Sequence, residues 1–238
     1  EIEFVVLIGC VEANNYREKS LPLMRKYRSS AGAHAALDAV KEYWDEYISP
    51  VKAETPDIEM NRMLNIWGPR QTWVTFNCNR NAGYYHGGLL FGVGMRDQCQ
   101  DMMGPLLSDP QAVADRLREV LSHQFQDGST LHNYFKLTGV GEKTGHSDTP
   151  LWLPMAVMNY LRETGDFAFL AETVGFQDGD EADVLEHVVR AVDYVLSQLT
   201  ENHLPKFGPG DWNDTLDYVG RKGKGEIMSG EKLPPVPS

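Results

Sequence analysis

Basic residues, cysteines and long apolar runs are all scarce in this chain of 238 residues, and each scarcity removes a class of function. Lys and Arg number 22 against 34 Asp and Glu, a formal net charge of -12. A polyanion such as nucleic acid, or an anionic membrane surface, would be repelled and not drawn in by counterion release. A neutral substrate, or a small anion held by a few local arginines, stays compatible. The three cysteines, Cys10, Cys78 and Cys99, are odd in number and include no Cys-x-x-Cys pair. That argues against a disulfide framework or a zinc site and for a reducing compartment. His86, His132 and His146 stand at no metal-ligand spacing, so they are read as loop residues or supporting residues, and no metal is expected. The apolar run at residues 2–8 is too short to cross a bilayer and lacks the basic flank of a signal peptide, so the expected location is cytoplasmic. No short-period repeat and no low-complexity tract is present. The chain does not start with Met, which suggests that it begins inside a longer protein.

What is present is mostly helical periodicity. Residues 2–8 are dense in Ile, Val, Leu and Phe and end at Gly9, which predicts a buried strand. A polar, basic connector follows over 14–29. Ala36, Leu37, Val40, Trp44 and Tyr47 then recur at helical spacing. Thr55-Pro56-Asp57 opens a second helix, with Thr55 as N-cap and Pro56 at N1. Met60, Met63, Leu64 and Trp67 give it a buried side, and Gly68-Pro69 ends it. Residues 69–97 read as a long irregular loop rich in glycine and aromatics, the kind retained for a site. Its Gly92-Val93-Gly94 is no dinucleotide fingerprint, because the third glycine and the strand-turn-helix setting are missing.

Asp109-Pro110 caps a helix carrying Val113, Leu117, Val120, Leu121 and Phe125, which ends near Gly128. Ser147-Asp148-Thr149-Pro150 opens another, apolar almost all round and closed by Gly165, which should be buried on most sides. A short helix over 166–174 and an amphipathic one over 181–199 follow. Periodicity stops after Gly223-Lys224-Gly225-Glu226, and the proline-rich end reads as extended. Helices in succession without alternating strands predict a toroid of α-hairpins.

The chemistry concentrates in Gly208-Pro209-Gly210-Asp211-Trp212-Asn213-Asp214. Asp211 or Asp214 can serve as a proton donor beside the indole of Trp212, on which a sugar ring could rest. The competing interpretation is a Gly/Pro turn whose carboxylates cap the next element. Burial beneath a sugar and beside Asp211 would favour a protonated, proton-donating Asp214. Arg96-Asp97 can grip sugar hydroxyls, the carboxylate accepting and the guanidinium donating, or can form an ion pair that fixes the loop. Arg80 can bind an anion or lie exposed. Gln98 and Asp101 follow Arg96 at helical spacing, as a solvated or structural face.

Blocks in unbroken order from about residue 30 to 226 resemble one family. They are Thr55-Pro56-Asp57 with Asn61 and Asn65-x-Trp67, Trp73 to Asn77, Gly94-Met95-Arg96-Asp97-Gln98-Cys99-Gln100-Asp101 and His123-Gln124-Phe125-x-Asp127-Gly128. Ser147-Asp148-x-Pro150-Leu151-Trp152-Leu153, Glu163-Thr164-Gly165-Asp166, Gly210-Asp211-Trp212-Asn213-Asp214 and Gly223-Lys224-Gly225-Glu226 complete the set. The chain resembles the inverting β-glycoside phosphorylases of glycoside hydrolase family 94, which includes cellobiose, chitobiose and cellobionic acid phosphorylases.

The resemblance implies an all-α chain forming the first half of an (α/α)6 catalytic barrel, over residues 55–226. Ahead of it would come the end of a β-sandwich at 1–13 and a helical linker at 14–54, with an extended tail at 227–238. It further implies phosphorolysis of a β-linked glucoside to an α-sugar 1-phosphate. Asp214 would be the general acid, Trp212 a wall of the donor-sugar site, Asp97 with Arg96 the hold on donor hydroxyls, and Arg80 a phosphate ligand. No cofactor is implied beyond inorganic phosphate as co-substrate. One acid suffices, because phosphate arrives already anionic and needs a cationic pocket in place of the second carboxylate of an inverting hydrolase. Phe91 departs from the arginine expected in that loop. Two rival readings remain: an inverting hydrolase on the same barrel, and a non-catalytic fragment that binds sugar or a partner. Half a toroid leaves open apolar ends, so self-association or a second chain is expected.

Overall fold

Helices carry most of the residues that the computed structural model describes, which are 4–8, 16–79, 92–136, 138–144, 146–205, 221–222 and 226–227. Arg80, Phe91, Asp211, Trp212, Asp214 and the proline-rich end lie outside the described residues. Among the described residues the stretch at 4–8 pairs with no strand, and Phe4 and Ile8 are 86% and 95% exposed, contrary to the buried strand expected there. A strand is defined by its ladder partner, and the described residues supply none.

The polar, basic connector over 14–29 carries helix of its own: a π-helical turn at Tyr16–Ser20 leads into α1, Leu21–Tyr27. Pro22 sits in the first turn, where its missing N–H costs nothing, and Leu, Met, Arg and Lys around it are strong helix formers. Helix α2, Ser30–Ile48, is the one that the 36–47 periodicity predicts, with Ser29 Oγ accepting from Gly32 N at 3.1 Å as its cap.

Two asparagines explain the next block. Asn65 accepts from Ala53 N at 2.7 Å and donates to Ala53 O at 2.8 Å, while Asn61 does the same for Thr55 at 2.8 and 2.9 Å. Each side-chain amide thus plays the part of a neighbouring peptide and pins residues 53–55 along the helix that follows. The cap of that helix is Asp57, not Thr55: its carboxylate accepts from Glu59 N and Met60 N, and Thr55 Oγ1 accepts from Asp57 N. Nor do Gly68 and Pro69 stop it. Helix α3, Ile58–Arg62, widens into a π-helical turn at Met63–Trp67, and α4, Gly68–Val74, continues into a second such turn at Thr75–Asn79. The wider turn, in which Gly68 N donates to Met63 O, makes room for the Pro69 ring ahead of which an ordinary helix would clash.

Met60, Met63, Leu64 and Trp67, expected to be buried, are 46 to 59% exposed. This segment instead meets α2 on another side, where Trp73 lies 5.2 Å edge-on to Trp44, Trp73 Nε1 donates to Tyr43 Oη at 2.6 Å and the Arg70 guanidinium sits 5.0 Å above Trp44.

The core lies downstream. Helices α5 (Met95–Asp101), α6 (Pro110–Leu121), α7 (Trp152–Thr164) and α8 (Val184–Ser197) contribute Met95, Cys99, Leu117, Leu121, Leu153 and Val184 to it, joined by Phe169. Each is fully buried. Asp109 caps α6 with Pro110 at its first turn, as predicted, and Gly165 closes α7 at φ 68° in the left-handed region. Of the nearly all-apolar α7, Leu153, Ala156, Val157 and Tyr160 are buried, but Met155 and Met158 are 41% and 42% exposed.

The short helix expected over 166–174 is a 3-10 turn, Phe167–Ala171, followed by a strand, Thr173–Gly175. That strand pairs antiparallel with Glu181–Asp183, so α8 begins at Val184 with Asp183 as its cap and not at 181. Gly179 at φ 102° and Asp180 at φ 56° make the turn between the two strands. A three-stranded antiparallel ribbon joins Val93–Gly94, Asn133–Tyr134 and Gly141–Glu142, and Arg221–Lys222 pairs with Glu226–Ile227. At two or three residues each, these strands are too short to leave an alternating pattern in the sequence.

The block His123-Gln124-Phe125-x-Asp127-Gly128 is the hinge between α6 and α8. Gln124 is fully buried; its amide donates to His187 O at 3.0 Å and Gly128 O at 3.3 Å, and its oxygen lies 2.6 Å from His187 Nδ1. His187 Nε2 meets Val174 O at 3.0 Å. Gly128, at φ 88°, packs so closely on the Arg190 carbonyl that no side chain fits there. Asp127 turns the backbone by accepting from Ser129 N at 2.9 Å.

Candidate active site

Arg96 and Asp97 open α5, directly behind the central ribbon. Gly94 pairs with Asn133 across that ribbon, Met95 N donates to His132 O at 2.9 Å and His132 N donates to Glu142 O at 2.7 Å. The helix start is therefore fixed by backbone bonds on both sides. A Cβ at Gly94 would meet the Asp97 carboxylate, so a larger residue there would push that side chain aside.

Arg96 Nη1 lies 2.6 Å from Asp148 Oδ2, an ion pair between residues 52 apart in sequence. Its side chain is only 14% exposed, against 41% for that of Asp148. Trp152 Nε1 donates to the same carboxylate oxygen at 3.2 Å. Burial by itself would raise the Asp148 pKa, but the hydrogen bonds from Arg96 and Trp152 outweigh it and hold the carboxyl below its usual range. Within reach of this pair's charges, the rings of His132 and His146 stack at 3.7 Å, with planes 9° apart, and His146 Nδ1 contacts Thr144 Oγ1. Burial, then the neighbouring His146 and Arg96, push the His132 pKa down, so the ring is neutral near pH 7. His132 Nδ1, Asn133 Oδ1, Asp148 Oδ1 and Thr149 Oγ1 are all buried and find no hydrogen-bond partner among the described residues. The site is therefore dense in polar groups, with one arginine already neutralised and an adjacent carboxylate, an arrangement suited to hydroxyl-bearing neutral ligands.

Beneath it lies a second polar layer. Gln98, which could have been solvated or structural, is fully buried and bonds to Arg116. Arg116 Nε pairs with Glu119 at 2.9 Å, and Tyr134 Oη donates to Glu119 at 2.8 Å. The layer locks α5 to α6 and to the ribbon. Cys99 sits in the same wall, its thiol pKa raised by burial, and is inert packing. Among the described residues no group of His, Cys, Asp or Glu could hold a metal ion.

Of the residues singled out from sequence, the structure places Arg96 and Asp97 together; Arg80, Trp212 and Asp214 lie outside the described residues. Asp148 and Trp152 were missed as site residues. Their block was read as a helix opening, yet the Asp148 side chain makes no cap bond and is committed to Arg96 instead.

The chain matches the Glycosyl hydrolase 94 superfamily, catalytic domain, over residues 43–231, and belongs to that family. A mostly helical architecture with few, short strands agrees with it. The chain is 34% identical over 231 residues to solabiose phosphorylase of Paenibacillus borealis, covering 96% of the chain and 28% of that protein. It is 26% identical over 247 residues to N,N'-diacetylchitobiose phosphorylase of Vibrio furnissii, covering 92% and 30%. It is also 34% identical over 209 residues to cyclic beta-(1,2)-glucan synthase NdvB of Rhizobium meliloti, covering 80% of the chain and 7% of that protein. The chain thus spans less than a third of the length of each of these relatives. No helix among the described residues is long and apolar enough to cross a membrane.

Proposed function

We propose that this chain is part of an inverting phosphorylase of β-linked glucosides, contributing the first half of an (α/α)6 barrel and most of its donor-sugar site. The observation that carries the reading is the half-buried, charge-neutralised Arg96 beside Asp97 in a chain belonging to this family. Such a pair suits sugar hydroxyls: the carboxylate accepts, and the guanidinium donates without attracting an anion. Relatives named as phosphorylases over most of the chain support the reaction class. In the proposed mechanism Asp214 protonates the departing glycosidic oxygen, Trp212 walls the donor ring and Arg80 holds phosphate, which attacks the anomeric carbon from the opposite face. Phosphate is the co-substrate, no other cofactor takes part, and the protein works in the cytoplasm.

Asp214→Asn in the full-length protein tests the assignment. It is expected to cut phosphorolysis of an unactivated disaccharide by about 10²-fold or more, the usual scale for a general acid, while sparing a donor whose leaving group needs no proton. Wild-type rates on the disaccharide would reject Asp214 as the acid. Activity that does not require phosphate would convert the reading to an inverting hydrolase. The likeness to NdvB favours a second reading, in which the same chemistry serves as one module of a much longer glucan synthase. Synthesis of a β-glucan by the intact protein, with no net phosphorolysis, would favour that module.

A further inference from the structure

The geometry points to Asp148 as the residue that positions Arg96 and matches it to a neutral sugar instead of an anion, an inference that rests on the proposed role of Arg96 and Asp97 at the donor sugar. Asp148 Oδ2 takes hydrogen bonds from both Arg96 Nη1 at 2.6 Å and Trp152 Nε1 at 3.2 Å. The arginine is the more buried partner and the carboxylate the more exposed one, so the pair presents a cancelled charge at the rim of the site. Asp148 stands where a helix cap would be expected, at the threshold of the 3-10 turn Thr149–Leu151 that leads into α7, and yet makes no cap bond. Its carboxylate serves the arginine.

A phosphorylase must draw phosphate to its own cationic pocket and keep it off a cation that serves the donor sugar. Guanidinium groups bind phosphate in the same forked geometry with which they bind carboxylates. An arginine already engaged by a carboxylate has lost most of that attraction, and its guanidinium is held in one direction. Asp148 thus sorts the two ligands by charge, and the Trp152 indole fixes the carboxylate that does so.

The test uses the full-length protein and whichever of cellobiose, solabiose and N,N'-diacetylchitobiose the wild type cleaves with phosphate. Asp148→Asn keeps the shape and removes the charge. The expected result is a KM for the disaccharide raised by about tenfold or more, the scale of one charge-assisted hydrogen bond. The KM for phosphate should stay within about twofold, and phosphate in excess should become a competitive inhibitor against the sugar. Trp152→Phe removes only the indole N–H and should shift the sugar KM in the same direction by less. If Asp148→Asn does not fold, the Trp152→Phe sugar constant decides alone: raised supports the inference, unchanged overturns it. A lower melting temperature with both constants unchanged in Asp148→Asn shows a mere staple and also overturns it. Asp97→Asn separates the layers of the argument. If it leaves the sugar KM unchanged, the donor-site reading itself fails; if it raises that constant while Asp148→Asn does not, only the role of Asp148 fails.

Discussion

Replacing Gln124 by Leu should be among the most damaging single changes outside the active site. The side chain is fully buried and makes three hydrogen bonds, two donated to the carbonyls of Gly128 and His187 and one with the His187 ring. The His187 carbonyl lies within α8 and keeps its intrahelical partner, so the substitution strands two groups: the Gly128 carbonyl and the Nδ1 side of a fully buried imidazole. At about 1–3 kcal/mol for each buried group left unpaired, the loss is roughly 2–6 kcal/mol. That is a large share of the 5–15 kcal/mol or so that a domain of this kind possesses. Leu is close in volume, so a cavity adds little. Urea unfolding followed by far-ultraviolet circular dichroism measures the loss, and the double variant Gln124→Leu, His187→Phe sharpens it. With both polar partners gone, its cost should fall below the sum of the two singles by more than about 0.5 kcal/mol, the margin within which independent sites add. A Gln124→Leu loss under about 0.5 kcal/mol, or strict additivity, would refute the network as a source of stability.

Arg80→Ala in the full-length protein should raise the KM for phosphate by about tenfold to over a hundredfold, with little change for the sugar, because one charge-assisted hydrogen bond is removed. Steady-state kinetics at varied phosphate read this directly, and an unchanged phosphate constant would make Arg80 structural. Acid should destabilise the fold in two stages. His132 and His187 both have pKa values lowered from 6.5, so the unfolded chain binds more protons as the pH falls below that value and stability declines from there. Asp127 and Asp148 are lowered from 3.8, so their contribution is full above that value and is lost only as the pH falls further. Midpoints of urea unfolding that stay flat between pH 7 and about pH 5 would contradict the first stage. The 238-residue chain by itself should associate through its uncovered apolar faces, which include Met155, Met158, Leu185, Val189 and Leu196, each at least 41% exposed. It should not catalyse phosphorolysis. Sedimentation of a strict monomer that turns over cellobiose with phosphate would refute both statements.

The helices of the core were legible because their signals are local. Asp109-Pro110 and Gly165 mark their own ends, and the apolar spacing of α2, α6 and α8 survives any tertiary context. What was misread depends on contacts that the local pattern does not show. Thr55-Pro56-Asp57 looked like a cap at Thr55, but the backbone at 53–55 is engaged by Asn61 and Asn65, which leaves Asp57 to cap. Gly68-Pro69 looked like a stop, and a π-helical turn absorbed it. At the site, Arg96 and Asp97 stood out because adjacent opposite charges follow a glycine-rich stretch. Asp148 did not, because nothing near residue 148 reveals a guanidinium supplied from 52 residues earlier. The face of Met60, Met63, Leu64 and Trp67 was read correctly as apolar and wrongly as covered, since periodicity reports what a helix can bury and not what lies opposite.

The two π-helical turns at Met63–Trp67 and Thr75–Asn79 bear on how this segment tolerates changes of length. A π turn is an α-helix carrying one residue more than its ladder requires, with the helices on either side kept in phase. Deleting a single residue within Met63–Trp67, together with replacement of Pro69, whose ring needs the wider turn, would let that turn relax to ordinary helical pitch and leave Trp73 facing Trp44 and Tyr43 as it does now. The same deletion within α2 has no slack to absorb it and would rotate everything beyond by about 100°, one residue's share of a 3.6-residue turn. Single-residue gaps among related sequences should therefore gather at these two turns and avoid the uninterrupted helices around them.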